Sequence, residues 1–320
     1  DRAARRAALL KSGGVELAKE ECRDRRGLPA LETAIRDLSH ALRLLARSPA
    51  FTVVAVLSLA LGIGANTATF TPLDQMVLRH LPVRRPEQLQ MIWTTGPSLG
   101  NTQGSRAASY PMYQDFQQRA PAFSHVFCRY LAPVSISLGN QTERVMGELV
   151  SGNYFQALGI RPALGRVFSP EQDDRVYKGH PVVVLSHQYW VTRFGADADV
   201  LGQKILVNSF PMEIVGVSAA GFSGLDPARS PQVRIPIQMK PLITPASDNL
   251  GDRRRQWVQI FARRKPGYTL ESAQASLQPL LSAILRTELE SPALRDAPKR
   301  DRDRFLSRKV LTESAANGYG

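Results

Sequence analysis

The chain has 320 residues, 43% of them hydrophobic, a formal charge of +13 and a mean hydropathy of −0.20: enough for one or two soluble cores, with a single uncharged stretch long enough to span a bilayer. Only two cysteines occur, Cys22 before that stretch and Cys128 after it, which excludes a disulfide framework. Basic runs at Arg2–Arg6, Arg23–Arg26, Arg253–Arg255, Arg263–Lys265 and Lys299–Arg304 lie on both sides of the stretch, which argues against the single basic face with stacking aromatics of a nucleic-acid binder.

Residues 1–29 are polar and charged with a Gly13-Gly14 break, and predict short helices joined by turns. From Leu31 the apolar residues Leu31, Ile35, Leu38, Leu42 and Leu45 recur at steps of four and three, with Arg36, Asp37, His40 and Arg43 on other faces. This spacing predicts an amphipathic helix ended by Ser48-Pro49. It is expected either to lie along a membrane surface as an elbow or to pack on its own protein.

Ser48 to Leu73 contains no ionisable side chain. A hydrocarbon core of about 30 Å needs roughly 20 helical residues, which Phe51–Phe70 supplies. Its Phe, Val, Leu and Ile side chains, at roughly −0.3 to −0.6 kcal/mol each, favour insertion by about 3 to 5 kcal/mol. One transmembrane helix over residues 50–73 is therefore predicted. Within it Ser58 and Gly62, and Ala60 and Gly64, are small residues four apart, a candidate helix-packing face in lipid. Arg36, Arg43 and Arg47 before the span balance Arg79, Arg84 and Arg85 after it, so charge leaves the orientation open.

After Leu81-Pro82 the pattern is mixed α and β. Asn101–Ala108 reads as a polar loop and Tyr110–Arg119 as a helix ended near Pro121. Arg144–Val150 alternates as a strand with Val145, Gly147 and Leu149 opposite Arg144, Met146 and Glu148, and a turn at Gly152-Asn153 opens Tyr154–Leu158. Pro181–Leu185 is a predicted strand whose Ser186 caps a helix over His187–Phe194. Gln203–Val207 and Met212–Val217 read as a hairpin around Asn208–Pro211. Gln256–Arg264 is another strand, Lys265-Pro266-Gly267 a turn, and Thr269 the cap of a helix with Leu270, Ala273, Leu277, Leu280, Leu281 and Ile284 on one face. Such units predict an α+β fold.

Catalytic patterns fail on context. Gly96-Pro97-Ser98-Leu99-Gly100 matches G-x-S-x-G, yet loop residues surround it and no helix pattern follows Ser98. Gly62-Ile63-Gly64 starts a dinucleotide fingerprint inside the apolar stretch, and no Gly-Lys-Ser or Gly-Lys-Thr phosphate loop occurs. His40, His80, His125, His180 and His187 include no H-E-x-x-H pair, and Ser186 beside His187 reads as a cap. The expectation is no catalytic residue, no cofactor and no metal.

The stretches SPAFTVVAVLSLALGIGANTATF, LRHLPVRRPEQL, GELVSGNYFQALGIRPALGRVF, PVVVLSHQYWVTRFG, LGQKILVNSFPMEIVGV and RRKPGYTLESAQASL resemble the MacB-type permeases of ABC transporters. The likeness is to the branch with a cytoplasmic prefix, here ARRAALLKSGGVELAKEECRDRRG. The resemblance implies a cytoplasmic prefix and elbow over residues 1–49, a first span over 50–73 and an extracytoplasmic core over 81–294. That core is expected to have a porter-like α+β subdomain and a smaller β-rich one. Residues 295–320 are expected to return towards a second, FtsX-type span that the chain lacks. It further implies a non-catalytic permease fragment of the bacterial inner membrane. Its implied partners are a separate ATPase subunit, a second permease copy or half, a periplasmic adaptor or cargo, and membrane lipid, with no nucleic acid. Two readings from other classes are a membrane-anchored periplasmic hydrolase and a tethered nucleic-acid or lipid-headgroup binder.

Overall fold

The computed structural model describes residues 29–73 and 80–318 except 105, 227, 246, 247 and 293, with side chains described outside 29–35 and 65–73. The short helices predicted within residues 1–28 lie outside the described residues. The chain divides into two compact units, Asp1–Pro72 and Leu73–Gly320.

The first unit holds helices α1 (Pro29–Arg47) and α2 (Pro49–Leu73). Pro49 has no N–H and cannot extend α1, so the chain breaks at Ser48 as its sequence predicts. The bend is held locally: the Thr52 hydroxyl bonds to the carbonyls of Leu45 (2.7 Å) and Ser48 (3.0 Å). At about 1.5 Å per residue, the 25 residues of α2 extend about 37 Å. Counting only residues with described side chains, no single helix is long and apolar enough to cross a membrane. Arg36–Arg47 and Pro49–Gly64, bent by 108°, satisfy length and composition together.

The second unit is built on one ten-stranded sheet. In chain order its elements are β1 (Leu89–Thr95), β2 (Asn101–Thr102), α3 (Tyr110–Arg119), β3 (Phe123–Leu138), β4 (Gln141–Val150), α4 (Tyr154–Leu158), β5 (Pro162–Gly165), α5 (Pro170–Asp173), β6 (Val182–Leu185) and α6 (His187–Phe194). There follow β7 (Lys204–Val207), β8 (Phe210–Ser218), β9 (Val233–Pro236), α7 (Lys240–Ile243), β10 (Arg255–Gln256), β11 (Gln259–Arg264), α8 (Leu270–Leu289), α9 (Lys299–Leu306) and β12 (Lys309–Ser314). Six strands close into a ring, β3-β4-β9-β6-β8-β7 and back to β3, while β12-β1-β11 continues from the other half of β3 as an open antiparallel wing. β3 belongs to both parts: Phe123–Arg129 pairs with β11, whereas Arg129–Leu138 pairs with β4 and, at Ile136 and Ser137, with β7.

Alternation explains the ring. Val134 and Ile136 of β3, Val145 and Leu149 of β4, Val183, Ile205, Ile214 and Val233 are buried in one cluster. Closure requires a bend in β8, where the register against β6 slips between Val183 and Val184. Gly216 sits there because a Cβ would fall 1.9 Å from the Arg166 carbonyl. The wing is covered on both faces. Ile92, Ile260 and Ala262 share a cluster with Leu277, Leu281 and Ile284 of α8, and Leu89, Met91, Phe127 and Phe261 share another with Tyr154, Phe155 and Phe222.

The ring and the wing share β3 and lie within one compact unit. The segment 295–320 contains α9 and the edge strand β12, which pairs with β1 from Thr95↔Lys309 to Gln90↔Ser314. Its outward N–H groups are occupied: Val310 donates to the Gln278 side chain and Thr312 to that of Gln274, both at 3.0 Å, so α8 guards the sheet edge. Asn101–Thr102, read as loop, pairs with Arg255–Gln256. The hairpin turn contracts to Asn208-Ser209, with φ of 49° and 69°.

Candidate functional site

The four small residues of α2 divide into two sets. At 100° per residue Ser58 and Gly62 lie within about 40° of each other, while Ala60 is about 200° from Ser58 and Gly64 sits near Ala60. Ser58 and Gly62, with Leu59 and Ile63, line a shallow notch. Among the described residues, a Cβ at Gly62 or Gly64 meets nothing within 4 Å. The apolar side chains of this helix face outwards all round, from Phe51, Val53 and Val54 to Leu57, Leu59, Leu61 (72% exposed) and Ile63.

Where the chain joins the second unit, the Leu81 N–H donates to the Ala316 carbonyl (2.7 Å) and the Ala315 N–H to the Leu89 carbonyl (2.9 Å). The first and last described segments of the unit therefore share one edge.

On the outer side of the ring, Glu148 of β4 is enclosed completely. It accepts from Arg129 Nη1 (3.3 Å), Arg234 Nε (3.1 Å) and the Tyr154 hydroxyl (3.1 Å). Phe261 covers one guanidinium and Phe222 the other, at 5.4 and 4.8 Å. Strand alternation had set Glu148 opposite the core face, and it does lie there. The fully buried ion cluster arises because a second layer covers that face too. Burial and the Glu148 charge push the Tyr154 hydroxyl far above its ordinary value, so it keeps its proton and donates it to Glu148.

Residues flagged for chemistry are not assembled into a catalytic set. The Ser98 hydroxyl lies 3.1 Å from the Gln256 amide, with Arg308 on the same amide. Strand β1 precedes it, but a bend follows instead of a helix, so it is no nucleophile elbow. Ser186 accepts from the Tyr189 N–H as a cap, and His187 packs edge-on against Trp190. Among the described residues no group of three His, Cys, Asp or Glu side chains could hold a metal ion.

An open polar groove of about 530 Å³ runs between β4 and α6, lined by Arg144, Met146, Gln188, Thr192 and Gln232 among others. Glu143 ties its wall, accepting from the Tyr189 hydroxyl (2.7 Å) and Arg193 Nε (2.9 Å). Both donors are held by the same carboxylate oxygen.

The class defined by these observations is a mixed α+β domain with a six-stranded ring and an open wing on one shared strand, preceded in sequence by a bent helix pair whose second member is apolar. Residues 52–280 match the MacB-like periplasmic core domain, and the chain belongs to that family. It is 33% identical over 136 residues to the macrolide export ATP-binding/permease protein MacB of Burkholderia cenocepacia, covering 42% of this chain and 18% of that protein. To the MacB of Shigella dysenteriae serotype 1 it is 31% identical over 134 residues, 42% of this chain and 19% of that protein. The match thus spans under a fifth of these curated relatives' length. Among solved structures, a domain ascribed to a permease from Porphyromonas gingivalis has the same fold, with a TM-score of 0.50 at 15% identity over 74% of this chain and 92% of that one. The periplasmic region of MacB from Actinobacillus actinomycetemcomitans gives a TM-score of 0.49 at 14% identity, over 71% and 89% of the two chains.

Proposed function

We propose that this chain is a non-catalytic part of an ABC-type permease. In this reading α1 is an elbow at the cytoplasmic surface, α2 crosses the bilayer over residues 50–73, and the unit from Leu81 onwards stands outside the cytoplasm. Its task is mechanical, handing movement driven by a separate ATPase subunit to the extracytoplasmic domain. A second permease copy or half would face it there, together with an adaptor or cargo.

The observation that carries this reading is the all-round apolar surface of α2. Burying each Val, Leu, Ile or Phe is worth about 1.5–3 kcal/mol relative to exposure. Phe51, Val53, Val54, Val56, Leu57, Leu59, Leu61 and Ile63 are all exposed, and a helix hydrophobic on every side belongs in lipid or inside a large core. Two facts support it further. The family match begins at Thr52, inside this helix, and runs on through the domain. The Leu81–Ala316 bond brings the two ends of the domain to one side, as a domain carried between membrane segments requires.

The test is a pair of fusions after Pro82, one to alkaline phosphatase and one to a fluorescent protein that folds only in the cytoplasm, with alkaline extraction of the full chain. Active phosphatase, a dark fluorophore and retention in the membrane pellet are expected. Cytoplasmic fluorescence, or release of the chain at alkaline pH, overturns the reading.

A further inference from the structure

Three segments distant in sequence converge at one corner of the wing. Arg84 and Arg85 come from the turn before β1, where Arg85 takes a left-handed backbone (φ 46°). His125 comes from β3, and Arg263 and Arg264 from the end of β11, with Arg263 directly opposite His125 in the ladder. Together with Gln156 they line a cavity of about 190 Å³, the liquid volume of roughly six waters at about 30 Å³ each.

Its charge is one-sided. No carboxylate lines the cavity, and among the described residues no ion pair joins any of the four arginines to an acid. Arg263 is only 7% exposed. Its Nε donates to the Ala157 carbonyl (2.7 Å) and its Nη1 to the Arg85 carbonyl (3.0 Å), which fixes the guanidinium plane. Its Nη2 is buried without an acceptor, as is Nε of Arg264. Leaving such a donor unmet costs about 1–3 kcal/mol, more for a charged group, so an arrangement of this kind calls for an anion. Burial and then the Arg84 charge lower the Arg263 pKa, against the opposing pull of the Glu87 carboxylate outside the cavity. Burial and then the Arg263 and Arg84 charges lower that of His125.

We propose that Arg84, Arg85, His125, Arg263 and Arg264 form a binding site for a phosphate group, borne by a soluble phosphate or by a lipid headgroup. Several guanidinium groups approaching from a turn and from the end of a strand suit the tetrahedral oxygens of phosphate better than a planar carboxylate, which one Arg fork satisfies. The site stands on side chains of the second unit alone and does not rest on the membrane topology proposed above.

The test is isothermal titration of the full chain in maltoside detergent, at constant ionic strength. The probes are inorganic phosphate, dihexanoyl-phosphatidylglycerol and dihexanoyl-phosphatidylcholine. Saturable binding of inorganic phosphate or of the phosphatidylglycerol is expected, weakened at least tenfold in Arg263→Gln and in the double variant Arg84→Gln/Arg85→Gln. The double variant changes exposed residues and preserves the fold, which circular dichroism verifies. Binding of phosphate alone identifies a soluble ligand, and preference for phosphatidylglycerol over both other probes identifies a headgroup. Absence of binding by every probe, or binding that the double variant leaves unchanged, overturns the proposal. Either result is read on solubilised protein, so it stands apart from the fusion and extraction experiment.

Discussion

The backbone N–H of Leu81 donates to the carbonyl of Ala316 at 2.7 Å, so residues 235 positions apart close the same edge of the domain. Leu81 is itself buried, within the cluster that contains Phe127, Phe155 and Ala315. Truncating a buried leucine removes transfer energy and leaves a void, together about 2–5 kcal/mol. Leu81→Ala is expected to fall in that range by urea denaturation. A loss below about 1 kcal/mol would mean that this edge contributes little to the unit's cohesion.

The Glu148 cluster makes a sharper prediction, because one anion sits between two buried cations. Glu148→Gln keeps the shape and removes the negative charge, leaving Arg129 and Arg234 to repel each other in a dry environment. Breaking a buried pair from one side costs about 3–5 kcal/mol, and a shift of that size in unfolding free energy is expected. Replacing all three with apolar residues of similar volume, Arg129→Met, Glu148→Leu and Arg234→Met, is expected to restore most of it. A triple variant as unstable as the single one would contradict this account.

Elements with strong end signals could be read from the sequence. Tyr110–Arg119 and His187–Phe194 were bounded correctly because Ser109 and Ser186 cap them and Ala120 and Gly195 end them. The 16-residue β3 could not be read this way. Its wing half is buried on both faces and so lacks alternation, and Pro133 counts against a strand. Pro133 is tolerated because β11 pairs only as far as Arg129 and β7 begins at Ile136, so that stretch of β3 has one free edge. Lys309–Ser314 shows no strand signal of its own, since its pairing depends on β1 lying beside it. The arginine corner was invisible for the same reason: Arg84, His125 and Arg263 meet only through the sheet.

The turn that joins β7 to β8 offers a stabilising change. Both central residues have positive φ, the type I′ pattern, which favours Asn followed by Gly. Ser209→Gly is expected to raise stability by about 0.5–1 kcal/mol. Asn208 has further duties, since its side chain accepts from the Ser135 N–H and donates to the Ile243 carbonyl, both at 2.7 Å. Asn208→Ala is expected to lose about 2 kcal/mol. Thermal unfolding of the two variants should therefore move in opposite directions.

Glu288 sets a pH dependence whose sign is fixed by its burial. Desolvation pushes its carboxyl up to about 7 from an ordinary 4.5, against the opposing pull of Arg253 at 3.3 Å. The folded chain thus holds a proton that the unfolded chain releases, and the stabilisation is full below pH 4.5 and lost as pH rises through 7. At about 1.36 kcal/mol per unit this amounts to at most about 3 kcal/mol. Asp174, pushed up to about 6 from 3.8 chiefly by burial, acts in the same direction over a lower window. Glu288→Gln is expected to flatten the decline between pH 5 and pH 7.5 and to be more stable than the parent at pH 8 by urea denaturation. Lower stability at that pH would show that the Arg253 pair outweighs the desolvation.

The two sets of small residues on α2 separate by experiment. Ser58 and Gly62 line the notch with Leu59 and Ile63, whereas Ala60 and Gly64 face the other way. If α2 packs against another helix through the notch, a branched side chain at Gly62 holds the backbones apart, because such contacts depend on close approach. Gly62→Ile is expected to reduce cysteine cross-linking along α2 in membranes, and Gly64→Ile to leave it near the parental level. A Cβ at either position meets nothing within 4 Å among the described residues, so membrane retention and the unfolding of the second unit should stay unchanged in both. Equal losses from the two substitutions would mean that the notch is not the contact face, since opposite sides of one helix would then matter alike.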